Sequence, residues 1–110
     1  MIAHAPPPSN VLVFADEFRL NPSRNIVRSG AVRFQLKNIG EDDHDIAVRR
    51  RAANAIPSAS PIVRPGKLGE LTVRLPAGRY VIFCSVGDHA ARGMQGAFTV
   101  IRSKPPSRDA

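Results

Sequence analysis

The 110 residues contain one cysteine, three histidines and two methionines. The cysteine, one histidine and one methionine share a single stretch, Cys84-Ser85-Val86-Gly87-Asp88-His89-Ala90-Ala91-Arg92-Gly93-Met94, at five-residue steps. A thiolate, an imidazole and a thioether are thereby offered within one loop. Cysteine and histidine suit several metals, but a nearby thioether points toward copper; two His and one Cys with a weak axial Met make an electron-transfer copper site. A second histidine is then required, and His44 is the candidate. His4 lies in a proline-rich tail. Singly, each residue also has an ordinary use: a lone Cys as a small buried hydrophobe, a Met as core, a loop His as surface, and His44 as a buried imidazole bonded to backbone.

The chain as a whole sets the frame for such a site. Its length suits one domain with one core. One cysteine excludes a disulfide framework and the two-thiolate bridge of a binuclear copper centre. There is no CxxC or Cys/His cluster for structural zinc. No apolar run approaches the ~20 residues needed to span a membrane, and no basic segment followed by an apolar stretch marks a secretory signal at the start. Net charge is +7, which suits acidic partners or an anionic surface. With five Phe, one Tyr and no Trp, stacking platforms for nucleic acid are not evident, and no nucleic-acid partner is expected.

Short strands must position the donors. Residues 1–10, with Pro6-Pro7-Pro8, read as an extended tail, and residues 103–110 as a second tail, leaving a domain over 11–102. Val11 to Ala15 is an apolar strand; Phe18 and Leu20 extend or follow it, and Asn21-Pro22 marks a turn. Asn25 to Arg28 is short and extended, and Ser29-Gly30 reads as a hairpin-type turn. In Ala31 to Asn38, Val32, Phe34 and Leu36 alternate with Arg33, Gln35 and Lys37, the period of a half-buried strand. His44 shares parity with Ile46 and Val48, so an unbroken strand from His44 turns all three to the core. Arg49 to Leu68 shows no clear strand; Arg49-Arg50-Arg51 is basic, and Ala52 to Ala55 reads as one turn of helix before Pro57, Pro61 and Pro65. Leu71, Val73 and Leu75 point inward on the next strand. Tyr80, Ile82 and Cys84 share a face of the one after, and Phe98 and Val100 point inward on the last. Leu75-x-x-Gly78-x-Tyr80 looks like a tyrosine corner of a Greek-key sandwich. Seven or eight short strands with almost no helix predict an all-β sandwich. In it His44 and Cys84 each end an inward row, and the loop to Met94 folds over the same end.

These residues resemble the cupredoxin family, small blue-copper proteins that include plastocyanin, azurin, auracyanin and rusticyanin. The likeness covers roughly residues 11–101. It is carried by Pro22 through Gly40, by His44-Asp45-Ile46-Ala47-Val48, and by Pro76 through Cys84 with His89, Gly93-Met94 and Gly96. The Cys-x₄-His-x₄-Met loop is like that of auracyanin and rusticyanin. The resemblance implies His44, Cys84 and His89 as equatorial ligands of one copper ion and Met94 as the axial one. It departs at Asp45, where plastocyanin and azurin have an Asn that helps pin the ligand loop.

What the resemblance implies is a non-enzymatic, monomeric carrier of single electrons. It would work in the periplasm or elsewhere outside the cytoplasm and exchange electrons through His89; the net charge of +7 points to an acidic redox protein, such as a cytochrome or oxidase, as the partner. Arg92 lies in the exchanging loop, and Arg49 to Arg51 are expected either to flank that end or to run down one side. Two other classes use the same residues differently: a copper carrier or store that delivers the metal, and an adhesive sandwich with no metal.

Overall fold

A computed structural model describes residues 6–52 and 54–103. Its described residues form nine strands: β1 (Ser9–Asp16), β2 (Arg19–Pro22), β3 (Ile26–Arg28), β4 (Gly30–Asn38), β5 (Ala47–Arg50), β6 (Ser58–Ala59), β7 (Leu68–Leu75), β8 (Gly78–Phe83) and β9 (Gln95–Ile101). They build two sheets, ordered β2-β1-β4-β7 and β3-β9-β8-β5-β6. β1 runs parallel to β4 and β3 parallel to β9; the other pairs are antiparallel. The all-β sandwich expected from the alternating runs is therefore present. No helix long and apolar enough to cross a membrane occurs among the described residues.

The core follows the period-two rows. Val11, Val13 and Ala15 of β1 and Val32, Phe34 and Leu36 of β4 are fully buried. They face Tyr80 and Ile82 of β8 and Phe98 and Val100 of β9, all nearly so. Phe34 and Phe98 meet across the two sheets with ring centroids 5.2 Å apart, a tilted arrangement that suits aromatic quadrupoles. Leu71 and Val73 are only partly buried, because β7 lies at the edge of its sheet. The tyrosine corner forms: Tyr80 Oη donates to the Pro76 carbonyl at 2.7 Å.

Several local expectations are corrected. Ser29-Gly30 is not a hairpin turn, since β3 and β4 belong to different sheets; the chain crosses between layers there, with Gly30 at φ +128. Pro22 ends β2, paired with Val13, rather than opening a turn. The strand expected from His44 starts at Ala47, because the preceding residues pair elsewhere, His44 with Val63. β6 adds a two-residue strand in the stretch read as strandless. The turn of helix over Ala52 to Ala55 includes residue 53, outside the described residues; Asn54 has φ +69, a left-handed conformation that does not continue a right-handed helix. β1 begins two residues before the expected domain boundary.

Replacing Tyr80 by Phe removes one hydrogen bond and nothing else of the ring. Urea unfolding of Tyr80→Phe is expected to show a loss of about 1 kcal/mol, against about 3–5 kcal/mol for Phe34→Ala.

Candidate metal centre

β4, β5 and β8 bring the donors to one end of the sandwich. His44 is held by backbone: its N–H donates to Val63 O at 3.0 Å, and Val63 N–H donates back at 2.7 Å. Asn38 shapes the turn before it. This fully buried amide donates to Asp42 O at 2.8 Å and Val63 O at 2.9 Å, and accepts from Gly40 N–H at 2.9 Å. Cys84 follows β8 directly, on the buried face of Tyr80 and Ile82, and its N–H donates to Met94 O at 3.0 Å. The loop then folds on itself, with His89 N–H bonded to Val86 O at 3.0 Å and Met94 N–H to His89 O at 3.1 Å. Gly93 stands at φ +124, where a Cβ would meet Phe18 O at 3.0 Å, so the loop closes against the β1–β2 turn only with glycine there.

The result is a convergence of three donor atoms. Cys84 Sγ lies 3.8 Å from His44 Nδ1 and 3.6 Å from His89 Nδ1. One ligand atom from each of the three residues lies within 4.8 Å of the other two. Donors about 2.0–2.3 Å from a common centre and ~120° apart stand about 3.7 Å from one another. The spacing therefore fits a single metal ion, with both imidazoles presenting Nδ1. Cys84 and His44 are fully buried, and His89 is 8% exposed, so one ring edge reaches the surface. Met94 is also fully buried and packs in the same core cluster. His4 lies outside the described residues.

Around the donors stand Asp45, where the sequence departs from the family's pattern, and further groups the sequence alone did not single out. Asp45 accepts from Ser85 N–H at 2.6 Å and from Ser85 Oγ, joining the His44 segment to the residue after Cys84. A carboxylate thus pins the ligand loop at the position where an Asn was the family's pattern. Phe18 packs on His89 with centroids 5.2 Å apart. Glu17 accepts from Glu41 N–H at 2.6 Å and from Asp42 N–H, and its Oε1 lies 3.6 Å from His44 Nε2. That His44 nitrogen is buried without a hydrogen-bond partner among the described residues. Asp42 Oδ2 stands 3.4 Å from His89 Nε2. Asn38 could have been found, because a polar residue continues the buried row of Val32, Phe34 and Leu36. Glu17 and Phe18 carry no such signal, since their role depends on where the β1–β2 turn lands.

Burial disfavours the charged forms of two of the donors. It pushes the Cys84 thiol up and the His44 imidazole down, the latter partly opposed by Glu17. The Asp42 N–H holds the Glu17 carboxyl below its usual range. Loading a metal must therefore displace the thiol proton. Asp88, paired with Arg92 at 2.8 Å, is likewise lowered. Arg92, the basic residue of the loop, is thus matched by a carboxylate, and it lies over the Phe18 ring at 5.0 Å. Arg50 and Arg51 lie toward the end of the sheet remote from Cys84, since Arg50 pairs with Tyr80 whereas Ala47 pairs with Phe83, while the Arg49 guanidinium lies over the Phe83 ring at 5.8 Å.

No family model matches the chain, and a search of curated proteins found no relative. Solved structures are similar to it. Reduced auracyanin from Roseiflexus castenholzii matches with a TM-score of 0.69 at 20% identity, covering 84% of this chain and 97% of that one. Auracyanin A, a "blue" copper protein from Chloroflexus aurantiacus, matches at 0.71 and 19%, covering 86% and 100%. A mutant of amicyanin in its reduced Cu(I) form matches at 0.59 and 16%, covering 89% and 86%. The fold is therefore that of the cupredoxins.

His44 yields a test on metal-free protein. Its folded-state pKa is lowered, so the unfolded chain binds more protons as pH falls through the ordinary histidine range. Stability is then expected to rise from pH 5.5 to 7.5 in urea melts, and His44→Gln should flatten that slope. An equal slope in the variant would assign the dependence to another group.

Proposed function

We propose that this chain is a type 1 (blue) copper protein that carries single electrons between redox partners. His44, Cys84 and His89 are its equatorial ligands and Met94 its axial one. The observation that carries the reading is the buried meeting of two Nδ1 atoms and one Sγ at 3.6–3.8 Å. A thiolate with two imidazoles and a thioether on the same loop matches copper better than zinc, whose structural sites take four Cys or His ligands. Bound copper supplies a one-electron Cu(I)/Cu(II) couple.

The residues supply the rest. Cys84 gives up its proton on loading. The His44–Val63 bridge and the Asp45–Ser85 bonds keep two donors in place whatever the charge at the centre. His89 is the exit, because only its edge is exposed among the four and the exposed Ala91 and Gly93 beside it are small. Burial of the donors also tells against a copper carrier or store, which must hand its metal over readily. The resemblance to cupredoxins supports a periplasmic or other extracytoplasmic setting and no catalytic turnover.

Charge near the exit bears on the partner. Asp42 stands by the His89 ring, and Arg92 is occupied by Asp88. A cytochrome or oxidase that reaches His89 therefore meets the Asp42 carboxylate beside a matched Asp88–Arg92 pair, and a basic group on the partner fits against Asp42.

One equivalent of Cu(II) should give an intense visible thiolate-to-copper band and release the thiol proton. Cys84→Ser should abolish the band, and a colourless wild-type protein would sink the proposal. Met94→Leu should keep copper and raise the reduction potential, because the axial ligand tunes more than it holds; loss of all copper in that variant would show that Met94 has another role.

A further inference from the structure

Charge is sorted between the two ends of the sandwich. Glu70 apart, every described carboxylate lies at the metal end: in the turn regions after β1 and β4, in Asp45, or in the ligand loop. Basic residues accompany them there, Arg19 opposite Asp16 and Arg92 on Asp88 among them. The other end is different. Arg50 and Arg51 leave β5, Arg79 is the second residue of β8, Arg74 nears the end of β7, and Arg28 and Arg102 gather where β3 and β9 finish. None of these six forms an ion pair among the described residues, and no described carboxylate stands with them.

An apolar side chain protrudes beside this cluster. Ile56 is 91% exposed, the most exposed of the large hydrophobic residues described. It rims a shallow depression with Arg50, Arg74, Pro76 and Tyr80. Arg50 and Arg74 stand beside this projecting aliphatic group, and the other four arginines extend the same end of the sandwich; such a surface has the chemistry of an interfacial contact, in which guanidinium groups meet lipid phosphates while the apolar group enters the headgroup region. An acidic protein would satisfy the arginines but would need a pocket for Ile56, whereas a bilayer needs none.

We propose that the arginine end docks on an anionic lipid bilayer, with Ile56 seated among the headgroups. The same surface repels the carboxylates of the metal end, so the docked domain points His89 toward the aqueous side. The proposal does not depend on which metal the site holds.

The chain has no tryptophan, so a single introduced one reports its own surroundings. In the full chain, Ile56→Trp emission should shift to the blue on vesicles of phosphatidylcholine with phosphatidylglycerol, and brominated lipid should quench it. Phosphatidylcholine alone and soluble polyglutamate should leave it unchanged, and Ala91→Trp, at the metal end, should not shift on any vesicle. Adding salt should reverse the binding. Arg51→Glu with Arg79→Glu in the Ile56→Trp background should weaken binding about tenfold or more, since each basic residue near the surface adds attraction. Arg19→Glu with Arg64→Glu makes the same change in net charge at the metal end and should weaken it only about twofold. Equal losses in the two double variants, no shift with phosphatidylglycerol, a shift with polyglutamate, or a shift of Ala91→Trp would each overturn the proposal.

Discussion

The carboxylate of Asp45 ties together two segments forty positions apart in sequence. His44 precedes it and Cys84 precedes its partner Ser85, so this one contact fixes the approach of two buried donors. Everything else at the site depends on that approach. The ligand loop starts from Cys84, closes through the backbone bonds of His89 and Met94, and then lies against Phe18. Both Asp45 oxygens are used by Ser85, one by its N–H and one by its hydroxyl. A group with two bonds to one residue holds direction as well as distance, which a single apolar contact does not.

Polar side chains at the end of an apolar core must be compensated, because a buried polar group without a partner is costly. Asn38 meets this demand with three bonds to backbone and in doing so builds the turn that delivers His44. His44 meets it only in part, since its Nε2 faces Glu17 at 3.6 Å without a bond. The donor side of the ring faces Cys84. Burial disfavours charge on both the Cys84 thiol and the His44 imidazole. A cation coordinated by a thiolate and two imidazoles would relieve that arrangement and couple ion binding to the stability of the folded state.

Much of this was legible in the residues. The alternating row of β4, the tyrosine corner at Tyr80 and the five-residue steps from Cys84 to Met94 are local patterns, and local patterns survive in a sequence. Parity also placed His44 with Ile46 and Val48 on the core side, although the strand there begins only at Ala47. What was hidden is what depends on distant partners. Ser29-Gly30 looks like a hairpin until β9, not β4, claims β3. Val63, which brackets His44, sits in a proline-rich stretch without alternation, and β6 is too short to show a period. Net charge gives no hint of where charge lies, so the pairing of Arg92 with Asp88 and the separation of arginines from carboxylates emerge only from the strand order.

The central claim is that the sandwich sets the donors before any ion arrives. Crystal structures of the metal-free and copper-loaded protein test it most directly. The prediction is that the Asp45–Ser85 contact persists in both, and that Cys84 Sγ stays near its 3.6 and 3.8 Å distances from the two Nδ1 atoms. A metal-free structure in which the ligand loop has swung away from Asp45, with the donors gathered only by copper, would contradict it.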